Sequence, residues 1–223
     1  MPEDHRRHAT LVDQSESPRP QTVRARHAAS LLVWREVQGA AEGEAVEILM
    51  GMRGAKHRFM PNRLVFPGGA VDRADLSAPD ATKVSPRTEW ALRKSANAAL
   101  AHGLAIAAAR ELREETGLTL GEPPALHGLD YLARAITPPG LPIRFNARFL
   151  CIHASHTAGA LGGDGELDNL RFYGMAEALA LDLATPTRRV LEQMKVWLAM
   201  TGAQRAARTH VPVLKKDRGW VME

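Results

Sequence analysis

A run of helix-forming residues between Ala105 and Glu115 constrains the fold of this chain more than any other feature. The segment is rich in Ala, Leu, Glu and Arg, and Gly117 follows it at a place suited to ending a helix. Within the run, Glu111, Glu114 and Glu115 stand at positions i, i+3 and i+4, which share one face of a helix. The sequence therefore predicts a helix that holds three carboxylates side by side near its carboxyl end.

This arrangement of carboxylates is unfavourable unless something balances its charge. Like charges at these spacings repel, and the helix dipole disfavours negative charge at the carboxyl end by roughly 0.3 to 1 kcal/mol per group. A divalent cation would balance the charge, because Mg²⁺ prefers hard oxygen ligands. The alternative is a solvated acidic face on which Arg110 and Glu114 form an ordinary ion pair. The cluster alone leaves both interpretations open.

The composition is that of a folded chain with an excess of positive charge. The 223 residues are 45% hydrophobic and 24% charged, which excludes wholesale disorder and suits a single domain. The net charge of +4 favours anionic ligands. Because the arginines form no block of like charge, we expect phosphate-bearing small molecules, and not nucleic acid, as partners. No apolar run reaches the roughly 18 residues of a membrane span, so we expect a cytoplasmic protein without a membrane partner.

Apolar runs and turn residues predict the other elements and an α/β fold. Strand-like runs lie at 28–34, 46–50, 64–66, 131–136, 143–153 and 170–173, and further helical segments at 175–183 and 187–200. Strands, a long helix, more strands and terminal helices in this order predict a sandwich around a mixed sheet. We expect residues 1–22 to form a flexible lead-in and residues 23–223 to form one domain.

The segment from Arg110 to Leu118 resembles the closing part of the Nudix hydrolase signature, which runs Arg-Glu-apolar-x-Glu-Glu-x-Gly-apolar. All seven specified positions are present, and Pro67 followed by Gly68-Gly69 lies upstream, where the family has a strand and a loop. The resemblance covers about residues 28 to 183. It implies a Nudix-type α/β/α sandwich around a mixed β-sheet, and an enzyme that hydrolyses a diphosphate linkage with Mg²⁺ or Mn²⁺.

The opening part of the signature is interrupted in this chain. The family pattern places an acidic residue six positions after a Gly and eight positions before the Arg. Counted forward from Gly69 that position is Asp75, but counted back from Arg110 it is His102. We infer a helical insertion at residues 76–102.

The insertion carries apolar residues that need a partner surface. Trp90 and Leu92 could pack it against the body or against a second copy of the chain, which would make a homodimer.

The resemblance also implies roles for individual residues. Glu114 and Glu115 would be metal ligands, and Glu111 would be a further ligand or the catalytic carboxylate. The Gly69 region could add a backbone carbonyl ligand, and Arg110 would orient the glutamates.

Glu166 is a further candidate for the catalytic or metal-binding carboxylate. It lies in an acidic loop before a predicted strand, and Nudix enzymes often place another metal-binding or basic carboxylate in such a loop. The alternative is a solvated turn.

Three arginines are candidates for binding the substrate. Arg53 and Arg58 fall at the spacing found in the coenzyme A diphosphatase branch of the family, which also carries an insertion inside its Nudix box, and Arg144 lies in a downstream stretch that resembles the same branch. Guanidinium groups bind phosphate well because they donate two parallel hydrogen bonds. The resemblance thus implies coenzyme A or acyl-coenzyme A as the substrate.

Other functions remain open from the sequence. Within the same class, ADP-ribose, NADH and nucleotide sugars are alternative substrates. A non-catalytic Nudix-like sensor would bind a nucleotide and regulate a partner. Such a sensor would be recognised by the loss of a helix glutamate, and this chain has all three. RNA decapping is supported only by the basic charge.

Overall fold

The protein is described here by a computed structural model that covers residues 23–39, 45–54, 62–215 and 218–223. The strands within this part of the chain are β1 (Arg26–Glu36), β2 (Val46–Arg53), β3 (Leu64–Val65), β4 (Gly68–Ala70), β5 (Asp130–Ile136), β6 (Phe145–His153), β7 (Leu167–Gly174), β8 (Pro212–Lys215) and β9 (Gly219–Met222). The helices are α1 (Pro86–Arg93), α2 (Ala98–Thr116), α3 (Met175–Ala180), α4 (Thr185–Ala199) and α5 (Gly202–Ala206). The predicted lead-in, residues 1–22, lies outside the described residues.

The strands form one mixed sheet in which β1 is central. It pairs in parallel with β6, and its two halves pair antiparallel with β4 and then with β2. The order along the sheet is β3-β2-β1-β6-β5-β8-β9, and β7 pairs with β2. A second parallel pair joins β5 to β8. Because β4 lies beside the first half of β1, the glycine pair is held against the middle of the sheet.

Helices cover both faces of this sheet. Leu31 and Val33 of β1 point towards α1 and α2, whereas Leu32 and Trp34 point towards α3 and α4. Successive side chains of a strand point to opposite faces, so a strand covered on both sides has a continuous apolar run, as β1 has. The predicted α/β/α sandwich around a mixed sheet is confirmed.

The predicted glutamate helix is present and is longer than the sequence pattern indicated. α2 begins at Ala98 because the side chain of Asn97 accepts a hydrogen bond from the backbone N–H of Leu100. It ends at Gly117, whose positive φ of 73° closes the last turn. The additional first turns bury Ala101 and further small residues against the sheet.

The segment 76–102 packs closely against the rest of the domain. Helix α1 begins after Ser85, whose hydroxyl accepts a hydrogen bond from the backbone N–H of Thr88. The Thr88 hydroxyl donates to the carbonyl of Leu129 at 2.8 Å, and Leu92 is fully buried in the core beneath α2. The end of this range, from residue 98, is the start of α2 itself. The segment therefore contributes to the core that supports the glutamate helix.

Within the described part of the chain, no helix combines the length and the apolar character that crossing a bilayer requires.

Candidate active site

Arg110 is the centre of a polar cluster on the outer face of α2. Its Nη1 donates to Glu111 Oε1 at 2.8 Å and to Glu114 Oε2 at 2.9 Å. Its Nη2 donates to the carbonyl of Ala70 in β4 at 3.1 Å. The guanidinium also meets the carboxylate of Asp75 with two contacts of 3.1 Å. Arg110 thus holds two of the helix glutamates and ties α2 to the glycine strand.

Asp75 also belongs to this cluster. The sequence placed it at the acidic position of the motif but did not predict its contact with Arg110. Its side chain is only 3% exposed, and its Oδ2 also accepts from the backbone N–H of Asp72 at 2.8 Å. It lies in a short 3₁₀ turn, Ala74–Leu76, 35 positions before Arg110. No local sequence signal indicates a pairing over that distance.

Glu115 is the most buried carboxylate of the cluster, with 2% of its side chain exposed. Its Oε2 accepts a hydrogen bond from the backbone N–H of Gly68 at 2.8 Å, and its Oε1 lies 3.7 Å from Arg53 Nη2. Burial, together with the charges of Glu166 and Glu111, raises the pKa of Glu115 to about 8, although the hydrogen bond from the Gly68 N–H opposes the shift. The negative charge at this position is therefore incompletely balanced by the protein.

The glycine pair permits the close approach of two glutamates to the sheet. A Cβ at Gly69 would lie 2.3 Å from Glu111 Oε1, and a Cβ at Gly68 would lie 2.4 Å from the carbonyl of Ala29. Burial also raises the pKa of Glu111, against the effect of its contacts with Arg110. The structure thus places Gly69 directly beside one of the predicted ligands.

A glycine-containing loop, residues 157–166, closes the carboxyl end of α2. The backbone N–H of Gly162 donates to the carbonyl of Thr116 at 2.9 Å, and that of Asp164 donates to the carbonyl of Glu114 at 3.0 Å. Gly163 has a φ of +107°, and a Cβ there would lie 2.2 Å from the carbonyl oxygen of Glu115. The loop therefore packs tightly against the end of α2 and donates hydrogen bonds to the last carbonyls of the helix.

This loop delivers Glu166 to the cluster. Glu166 Oε1 lies 3.6 Å from Arg53 Nη2, and its side chain is 33% exposed. Its charge raises the pKa values of both Glu111 and Glu115, which requires it to lie near them. Four carboxylates from α2 and the loop thus share one region with Arg53.

The candidate substrate arginines differ in where they lie. Arg53, at the end of β2, stands between Glu115 and Glu166, and its buried Nε has no hydrogen-bond partner among the described residues. Arg58 lies outside the described residues. Arg144 donates to the backbone carbonyls of Thr137 and Val23 and lines a surface depression that none of the glutamates lines.

Arg148 follows Arg144 by four residues, a spacing that in a strand predicts two side chains on the same side of the cleft, but Arg148 does not line the cleft. Its side chain has no exposed surface, and its guanidinium donates to the carbonyls of Asn146 and Ser95. This expectation is wrong because the loop between α1 and α2 covers that face of β6.

The carboxylate oxygens of the cluster are suitable ligands for Mg²⁺ or Mn²⁺, but their present positions do not form a coordination site. Among the described residues, no three His, Cys, Asp or Glu side chains are placed so that they could hold a metal. Instead Arg110 holds Glu111 and Glu114, and the Gly68 N–H holds Glu115. These are hard oxygen donors with unbalanced charge, which suits such cations. Binding an ion requires the carboxylates to turn away from their present partners.

Solved structures similar to this chain are Nudix proteins. A Nudix hydrolase from Alicyclobacillus acidocaldarius is 25% identical, with a TM-score of 0.58 over 76% of this chain and 90% of that one. The Nudix domain of Shewanella oneidensis NrtR, solved with ADP-ribose, is 14% identical, with a TM-score of 0.51 over 79% and 90% of the two chains. No protein-family model and no curated protein matches the chain. The chain thus has the fold of these Nudix proteins, and the glutamates of α2 stand in the order of the Nudix signature.

Proposed function

We propose that the protein hydrolyses a diphosphate linkage in a nucleoside diphosphate derivative, using Mg²⁺ or Mn²⁺ held by the glutamates of α2. The observation that carries the proposal is the meeting of Glu115 and Glu166 with Arg53 beside the glycine strand, where Glu111 lies against Gly69. Buried carboxylates that repel one another are costly unless a cation joins them. The side chain of Glu115 is only 2% exposed, which does not fit the alternative of a solvated acidic helix face.

The ligands proposed for the cation are Glu111, Glu114 and Glu115, with the Gly69 carbonyl as a further oxygen donor. A bound Mg²⁺ or Mn²⁺ would neutralise charge on the diphosphate oxygens and lower the pKa of a water molecule at the site. Arg110 keeps the glutamates oriented through its contact with Asp75.

Glu166 is the proposed proton acceptor. It is on a loop and a third of its side chain is exposed, so a water at the site can reach it. Glu111 is the alternative acceptor because its pKa is raised towards neutrality by burial.

We also propose that residues 76–102 interrupt the Nudix motif, whose acidic position is then Asp75. The bidentate contact between Asp75 and Arg110 supports this, because it joins the two parts of the motif on either side of the segment. His102, the position obtained by counting back from Arg110, instead contacts the carbonyl of Ala78.

Coenzyme A or acyl-coenzyme A is the first proposed substrate, with ADP-ribose, NADH and nucleotide sugars as alternatives. Arg53 is proposed to contact the diphosphate itself, since it lies between two carboxylates of the cluster and has a buried nitrogen without a partner. A remote 3′-phosphate would have to be held by other groups, of which Arg58 is the candidate.

A substrate panel tests the proposed function. The protein is incubated with each of these compounds and Mg²⁺ or Mn²⁺, and the products are separated by chromatography. We expect cleavage between the two phosphorus atoms, so that coenzyme A yields phosphopantetheine and adenosine 3′,5′-bisphosphate, and no product in the presence of EDTA. Tight binding of a nucleotide without turnover at saturating metal would favour the sensor alternative and overturn the proposal.

A further inference from the structure

A surface depression at the far end of the sheet from α3 encloses about 370 Å³ and is lined by three cationic side chains. Arg144 precedes β6, Lys215 ends β8, and Arg218 lies in the turn before β9. The remaining lining comes from the end of β5 and the turn 137–139, and no carboxylate of the described residues lines the depression. Two separate segments of the chain, the residue before β6 and the hairpin of β8 and β9, thus bring positive charge to one concave place.

These charges are not balanced by the described residues. Arg144 is fixed by hydrogen bonds from Nε and Nη1 to two backbone carbonyls, which carry no net charge. The side chains of Lys215 and Arg218 make no hydrogen bond or ion pair with any described residue. Nearby on β5, by contrast, Arg134 contacts the Glu223 carboxylate at 2.7 Å. Arg134 thus has a carboxylate partner, whereas the three cations of the depression have none among the described residues.

The register of the sheet separates this depression from the glutamates. Gly69 pairs with Ala29 on β1, and Ala29 pairs with Arg148 on β6. Arg144 lies four positions before Arg148, which corresponds to about 13 Å along an extended chain. Ser95, which accepts a hydrogen bond from Arg148, covers the sheet between the two places. A group bound at the glutamates would not fill the depression.

We propose that this depression is a second binding site, for a phosphate-bearing small molecule, distinct from the glutamate cluster. Guanidinium groups bind phosphate through paired hydrogen bonds, and the lysine adds a compact charge. The volume lies within the range of small-molecule pockets, and a concave site of this size suits a phosphate ester better than a polymer. The proposal does not rest on the hydrolytic activity.

Calorimetric titration of inorganic pyrophosphate into the full chain tests the proposal. The buffer contains EDTA, so that no divalent cation can hold pyrophosphate at the glutamate cluster. We expect saturable binding that weakens as ionic strength rises. In the double variant Lys215→Gln, Arg218→Gln, the Kd should increase at least about 10-fold, since two of the three cations are lost. Neither side chain makes a hydrogen bond or an ion pair with a described residue, so we expect the double variant to fold.

The matched control is the double variant Arg189→Gln, Lys195→Gln, which removes two exposed charges from α4. An unchanged Kd in this control supports the site. An equal loss of affinity in both variants would show that only the net charge matters, and would overturn the proposal. The absence of pyrophosphate binding to the unchanged chain would overturn it as well.

Turnover measured with the same variants identifies the source of the phosphate. A raised KM in the Lys215, Arg218 variant alone would show that the substrate's own second phosphate occupies the depression. An unchanged KM together with lost pyrophosphate binding would show that a separate phosphate compound does. Both results support the site, and neither depends on which compound is hydrolysed.

Discussion

Arg110 shows how one side chain can hold together a cluster that would otherwise repel itself. It contacts two glutamates on its own helix and, through Asp75, a segment 35 positions away. Among the described side chains that contact Arg110, only that of Asp75 is almost fully buried. The orientation of the glutamates therefore depends on an aspartate that does not itself face the proposed substrate.

Replacing Asp75 by Asn should weaken both folding and turnover. The charge that fixes Arg110 is lost, and a buried hydrogen bond to a charged group contributes about 1.5 to 3 kcal/mol, so we expect a loss of this size in the free energy of unfolding measured with denaturant. The control is Asp182→Asn, which removes an exposed partner of Arg63 and should change stability by less than about 0.5 kcal/mol. Equal stability of the two variants would contradict the role given to Asp75.

Gly163 has a role that its neighbour Gly165 lacks. Both residues have a positive φ, of +107° and +84°, so an alanine is strained at either position. Only at Gly163 would the new Cβ meet the carbonyl of Glu115, at 2.2 Å, whereas nothing lies within 4 Å of a Cβ at Gly165.

Gly163→Ala should therefore reduce turnover much more than Gly165→Ala, because the loop would move off the end of α2 and take Glu166 with it. The kcat of each variant, compared with its melting temperature, separates this effect from a general loss of stability. Similar kcat values for the two alanine variants would show that the loop does not set the position of Glu166.

At the scale of elements, the predictions were most successful where the sequence pattern is local. The helix cap at Gly117 and the strands β1, β2 and β5 to β7 follow from periodicity and turn residues within short windows. β4 was missed because Gly68–Ala70 has no side-chain alternation to reveal a strand. The strands β8 and β9 were missed because each has only four residues and no regular alternation of polar and apolar side chains.

The contribution of α1 to the core can be tested with two substitutions in the same helix. Leu92 is fully buried, so Leu92→Ala should lower the free energy of unfolding by about 2 to 5 kcal/mol. Trp90 is 48% exposed, so Trp90→Ala should cost much less. Denaturant unfolding of both variants measures this difference. If both were tolerated equally, the segment 76–102 would be a flap outside the core.

At the scale of the whole molecule, the sandwich places the proposed chemistry on one face and leaves the other face to α3 and α4. The fold class followed from the order of elements, and the glutamate helix from its residue spacing. The positions of Arg53 and Arg144 did not follow, because the register of β2 and β6, at whose ends they lie, is set by pairing across the sheet. The resemblance made both candidates for binding the substrate, and the structure places them beside different groups.

The central claim is that the carboxylates of α2 bind the divalent cation on which diphosphate cleavage depends. The most direct test is the cleavage rate of the best substrate as Mn²⁺ is added to the metal-free protein, for the unchanged chain and for Glu114→Gln and Glu115→Gln. Glu89→Gln on α1, which removes an exposed carboxylate of the same type, is the control.

We predict no cleavage without metal, saturable activation by Mn²⁺, and at saturating metal a turnover at least about 100-fold lower in each of the two α2 variants, as expected when a strong transition-state contribution is lost. The Glu89 variant should follow the unchanged chain. Cleavage without metal, or near-normal turnover in both α2 variants, would contradict the account.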